Sequence, residues 1–142
     1  MAETERPSAA DVTVGDAREL TVSDLERRDF VRYAGASGDF NPIHYDEPFA
    51  REAGNPSVFA QGMLTAGFAS KLVTDWFGVG AVRTFETRFR SRVFPGETVT
   101  VRGEVIEVTV GERATVALDA VNQDGEAVLT GEAVVDVAGD GG

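Results

Sequence analysis

Gly62-Met-Leu-Thr-Ala-Gly-Phe-Ala-Ser-Lys-Leu-Val-Thr-Asp-Trp-Phe77 carries apolar residues around nearly the whole circumference of a helix. Met63, Leu64, Ala66, Gly67, Phe68, Ala69, Leu72, Val73, Trp76 and Phe77 leave little of it polar. A helix apolar on most sides is buried on most sides, and Gly78 marks its end. Something must wrap it, and the chain beyond Gly78 reads as strand. Phe85, Thr87, Phe89, Ser91 and Val93 alternate with Glu86, Arg88, Arg90 and Arg92, the period of a half-exposed strand. Pro95-Gly96 reads as a turn, and residues 98–110, 113–122 and 127–137 as three further strands. Gly111-Glu112 and Gln123-Asp124-Gly125 are the expected hairpin turns.

Upstream, Gly15-Asp16 predicts a turn before a short strand over 17–22. Ser23-Asp24-Leu25-Glu26 has the Ser-x-x-Glu form of a capping box, followed by Leu25, Phe30, Val31 and Ala34 on one helix face. The stretch 35–45 is rich in Gly, Ser, Asp, Asn and Pro and reads as an irregular loop. A short helix is expected over 46–53, ended by Gly54-Asn55-Pro56. The expected fold is α+β: an antiparallel meander wrapped around one long central helix. It makes a single domain over 11–138, with flexible ends at 1–10 and 139–142.

Composition narrows the function. The 142 residues suit one hydrophobic core. Twenty-four acidic residues against thirteen basic ones give a net charge of −11, a field that repels nucleic acid and anionic lipid. Lys71 is the only lysine. At molar salt the Debye length falls to about 3 Å, so carboxylate excess with almost no lysine fits a high-salt cytoplasm, and stability rising towards molar KCl is expected. No apolar run reaches the roughly 20 residues that span a bilayer, and the polar, acidic N-terminus is unlike a signal peptide. A cytoplasmic protein that meets neither membrane nor nucleic acid is expected. One histidine and no cysteine argue against zinc, and no glycine-rich dinucleotide or P-loop pattern is present.

The chemistry concentrates in Tyr33-Ala-Gly-Ala-Ser-Gly-Asp39-Phe-Asn41-Pro-Ile-His44. His44, the sole histidine, can exchange protons near neutral pH, and Asp39 offers a second acid–base group or an anchor for the imidazole. Pro42 stiffens the loop and Asn41 supplies an amide to orient a neighbour. By spacing alone an Asx-turn with a surface histidine fits as well. Gln61-Gly62-Met63 then opens the long helix. The unpaired N–H groups of that first turn and the positive end of the dipole suit an oxyanion site for a thioester enolate. A tight turn requiring a small residue is the other reading of Gly62.

The run Tyr33, Ser37-Gly38-Asp39-x-Asn41-Pro42-x-His44-x-Asp46 resembles the signature of the MaoC-like dehydratases and (R)-specific enoyl-CoA hydratases. Gln61-Gly62-Met63-Leu64-Thr65 resembles the His-Gly-Met-Leu with which that family opens its central helix. The resemblance covers about residues 12 to 137 and implies the hotdog fold, a sheet wrapped around one helix. It also implies reversible hydration of a trans-2-enoyl-CoA to an (R)-3-hydroxyacyl-CoA. Carried over, Asp39 and His44 are catalytic, Gly62 donates to the thioester oxygen, Asn41 supports, and Ser70 hydrogen-bonds the aspartate. Small residues such as Ser70 also serve simply to let helix and sheet pack. Gln61 departs from the family's histidine and, with Met63, would shape the pocket.

Arg88 and Arg90, with Arg92, are where coenzyme A phosphates would be sought, although alternating arginines also make an ordinary solvated face. Coenzyme A enters as part of the substrate, and no separate cofactor or metal is expected. Trp76 and Phe77 read as core or tunnel wall and not as a stacking platform. A dehydratase acting on a hydroxyacyl-carrier protein, as the catalytic member of a heterodimer, is one alternative. A hotdog thioesterase or acyl-thioester binding protein is another. An open sheet edge predicts at least a homodimer.

Overall fold

The computed structural model describes residues 11–109 and 112–137. Its elements are β1 (Ala17–Val22), α1 (Arg27–Ser37), α2 (Glu47–Glu52), α3 (Gly62–Phe77), β2 (Val82–Phe89), β3 (Val99–Thr109), β4 (Arg113–Val121) and β5 (Ala127–Asp136). The expected flexible ends, the last residue of the first long strand and Gly111 of its turn lie outside the described residues.

All pairings are antiparallel and the order across the sheet is β1-β3-β4-β5-β2. Alternation along β3, β4 and β5 turns Val99, Val101, Val105, Ala114, Val116, Leu118, Leu129, Ala133 and Val135 inward, all buried. Against them lie Ala66, Ala69, Leu72, Val73, Trp76 and Phe77 of α3, whose two alanines let the helix sit close to the sheet. The α+β expectation of a sheet wrapped around one helix therefore holds. Among the described residues no helix is long and apolar enough to cross a membrane.

α1 runs through Ser37, into the stretch read as an irregular loop, and four larger details differ from the sequence reading. β2 starts at Val82 and stops at Phe89, four residues before Val93. The N–H groups of Arg90 and Ser91 both donate to the Val128 carbonyl (2.8 and 3.3 Å), which breaks the two-residue period. β2 also pairs with β5 instead of leading into the meander. The chain must therefore cross from one sheet edge to β3, and residues 90–98 make that crossing over the start of α3.

The capping box is displaced. Glu26 is the N-cap, and its N–H donates to the Asp29 carboxylate at 2.8 Å. Leu25 is held before the helix by backbone bonds with Glu97 (3.0 Å) and Gly96 (2.6 Å), and Asp24 takes a left-handed turn at φ 48°. Ser23 thus ends β1's exit and caps nothing. Finally, α3 is not covered all round. Met63, Gly67, Lys71 and Asp75, four residues apart, form an exposed stripe, because the sheet closes on the helix from one side. Lys71 and Asp75 pair along it at 2.8 Å.

Candidate active site

α1 ends on Gly38, whose φ of 79° turns the chain sharply into the polar loop. The loop then holds itself by short-range bonds. The Asp39 N–H donates to Ser37 Oγ (3.1 Å) and the Asn41 N–H to Asp39 Oδ1 (3.3 Å). Asn41 Oδ1 accepts from the Ile43 N–H at 3.2 Å and so caps a 3-10 turn, Pro42–His44. The Tyr45 hydroxyl donates to the Phe40 carbonyl (2.8 Å), and Asp46 caps α2 by accepting from the Phe49 N–H (3.2 Å). Asp, Asn and Ser side chains bond most readily to backbone groups two or three residues away, so this spacing dictates the conformation.

His44 is buried, at 6% exposure, and lies edge-on to Phe59 with ring centres 5.2 Å apart. Its Nδ1 is 2.8 Å from the Phe59 carbonyl oxygen. A carbonyl can only accept, so Nδ1 carries a proton, and in its neutral form the ring presents a lone pair at Nε2. Nε2 stands 3.6 Å from Asp39 Oδ2, whose side chain is 46% exposed to solvent. That gap is too long for a direct hydrogen bond. Two acceptors facing each other at this distance suit a water that donates one hydrogen to each.

The second half of the site is the start of α3. The Ala60 N–H donates to the Val93 carbonyl (2.8 Å), tying this segment to the crossing stretch. Gln61 is buried and its Nε2 donates to the Phe30 carbonyl of α1 at 2.8 Å. The N–H groups of Gly62 and Met63 begin the helix and have no carbonyl four residues back within it. The Phe89 ring lies over Gly62, where an added Cβ would be 2.9–3.1 Å from three ring atoms.

Gly62 opens on a cavity of about 750 Å³ lined also by Phe59, Thr65, Phe89, Arg90 and Arg92. Asp39 and His44 do not line it within one chain. Phe59 is the shared wall, with His44 against its edge and the Arg92 guanidinium 5.0 Å from its centre.

The structure thus brings Asp39, Asn41 and His44 into one cluster and places Gly62 on an adjoining cavity. Ser70 is half-buried, and among the described residues no hydrogen bond joins it to Asp39. Met63 is 60% exposed at the foot of the open stripe. Arg88 and Arg90 flank a shallow groove on β2 beside Glu86 and Glu132, and Arg90 Nε donates to Thr130 Oγ1 at 3.1 Å. Because β2 ends at Phe89, the arginines do not form the single strand face their alternation suggested. Phe59 and the Gln61 carboxamide contact were not foreseen. The apolar Val58-Phe59-Ala60 run signalled burial, but nothing in it signalled a partner for His44.

Comparison with known proteins adds an independent line. A model of the MaoC-like domain matches residues 6–126. The chain is 36% identical over 129 residues to 3-hydroxybutyryl-CoA dehydratase of Methylorubrum extorquens, covering 89% of this chain and 82% of that protein. It is 46% identical over 66 residues to peroxisomal enoyl-CoA hydratase 2 of Arabidopsis thaliana, covering 44% of this chain and 21% of that much longer protein. Among solved structures, the unliganded R-hydratase of Pseudomonas aeruginosa superposes with a TM-score of 0.84 at 30% identity, covering 95% of this chain and 88% of that one.

Proposed function

The chain belongs to the MaoC-like domain family in its hotdog form, and on that footing we propose that it reversibly hydrates a trans-2-enoyl thioester to the (R)-3-hydroxyacyl thioester. The observation that carries this reading is the facing pair of acceptors, Asp39 Oδ2 and His44 Nε2, held 3.6 Å apart. Between them a water gives one hydrogen to each and turns an oxygen lone pair outward. That oxygen bonds to C3 of the enoyl group as its proton passes to the pair. The electrons of the C2–C3 double bond move onto the thioester oxygen, where the Gly62 N–H and the dipole of α3 stabilise the enolate. The proton then goes from the pair to C2, and the elements of water are added with none left over. Run backwards, the same steps dehydrate the hydroxyacyl thioester.

Asn41 fixes the loop that carries both acid–base groups. Arg90 and Arg92 at the cavity and Arg88 on the adjoining groove provide positive charge for the phosphates of coenzyme A in an otherwise acidic molecule. The outer edge of β2 is open, with Phe89 on it 55% exposed, and we place a twofold partner there.

Crotonyl-CoA incubated with the purified chain in high KCl, followed by loss of enoyl absorbance, tests the activity. Steady loss that stops in both Asp39→Asn and His44→Gln is the expected result. Undiminished turnover in either variant would remove the assigned role.

A further inference from the structure

We infer that Gln61 is a positioning residue for this reaction, an inference that rests on the hydratase reading. Its side chain is 1% exposed and joins the two halves of the site. Nε2 donates to the Phe30 carbonyl in α1, and the next residue along the chain is Gly62. α1 runs on from Phe30 to Gly38 and delivers Asp39. One carboxamide therefore ties the helix that presents the acid–base pair to the turn that presents the oxyanion donor.

Packing alone does not require it. Phe30 lies inside α1, so its carbonyl already serves the helical ladder and needs no second donor. The same carboxamide leaves its own Oε1 buried with no hydrogen-bond partner among the described residues. Turning the amide over would set Oε1 against the Phe30 carbonyl, acceptor to acceptor, so its orientation is fixed. Methionine would fill similar space without burying an unpaired acceptor, and is the cheaper residue for the fold. What only a donor at this position supplies is a directional link from α1 to the first turn of α3. That link holds the Gly62 N–H in register with the water held by Asp39 and His44, and both must meet one substrate at once.

Gln61→Met, Gln61→His and Gln61→Glu in the full chain, assayed on crotonyl-CoA with thermal melts alongside, test this. Gln61→Met is expected to lose about tenfold or more in kcat, with KM little changed and the melt no lower than native. Gln61→His keeps an N–H donor and recovers most of the rate. The Gln61→Glu carboxyl donates only when protonated, so its rate relative to the native chain climbs as pH falls. Native kcat in Gln61→Met overturns the inference and leaves the hydratase reading standing. So does a slow Gln61→Met without rescue by histidine and with a native pH profile in the glutamate variant. Should Gln61→Met fail to fold, the histidine and glutamate variants decide by the same criteria. A native chain inert towards enoyl thioesters overturns both readings.

Discussion

The loop around Asp39 and His44 and the first turn of α3 touch at Phe59, yet they are shaped by opposite means. In the loop nearly every polar side chain bonds a backbone group two or three residues away: Ser37 to Asp39, Asp39 to Asn41, Asn41 to Ile43 and Asp46 to Phe49. At the turn most of the fixing contacts come from far along the chain. Phe30 holds Gln61, Val93 holds Ala60, and Phe89 covers Gly62. A site can thus join one half that carries its own instructions to another that takes its form from the finished fold.

The largest test of this contrast is on the loop. His44→Gln and Asp39→Asn should each lower kcat by about 10²–10⁴-fold while the melting temperature stays near native, since asparagine keeps the Oδ1 acceptor for the Asn41 N–H and glutamine keeps an amide donor for the Phe59 carbonyl. A melt that fell with the activity would break the comparison. Next is a distant contact with no chemistry in it. A Cβ on Gly131 would collide with the Glu86 carbonyl oxygen across the β2–β5 pairing, and backbone cannot swing aside. Gly131→Ala should cost about 1–3 kcal/mol in denaturant unfolding, with KM and kcat of the surviving folded fraction unchanged.

Asn41→Ala removes the cap of the 3-10 turn and should cost about 1 kcal/mol, read as a shifted denaturation midpoint with a lower kcat. Gly62→Ala should cost least in stability, less than about 1 kcal/mol, because the Phe89 ring above it is exposed and can move. Its effect should appear in kcat/KM, through an altered approach of the thioester oxygen. A large loss of stability there would mean that Phe89 is pinned, for example by a partner chain.

The same contrast explains what could be read from the residues alone. The loop from Gly38 onward and its Asp–Asn–His cluster were legible because most of their bonds are local in sequence, the Phe59 partner of His44 being the exception. β1 and α3 were legible to the residue, because turn glycines and hydrophobic period are local too. The larger misses are long-range. Nothing near Val93 announces that β2 has already ended, since the acceptor responsible, Val128, lies on β5. Nothing near Ser23 announces that Leu25 will be held by Glu97, which moves the helix cap to Glu26. Gly62 read as an oxyanion donor or a tight turn, and neither reading announced the Phe89 ring that lies over it. The exposed stripe of α3 was hidden because period reports which residues are apolar, and topology decides which of them the sheet reaches.

The place of β5 in the sheet bears on how the chain folds. It is the last described strand in sequence, yet it sits inside the sheet, bonded to β4 on one side and β2 on the other. On a chain growing from its N-terminus, α3 and β2 emerge long before the strand that anchors β2, and β1 waits equally for β3. Until residues 127–136 arrive, the apolar face of α3 has only part of its cover. Such distant pairings make for slow folding and an intermediate prone to associate. Strand β5 acts as the closing latch of the core, and loss of that segment would leave an open, sticky partial sheet instead of a slightly smaller protein.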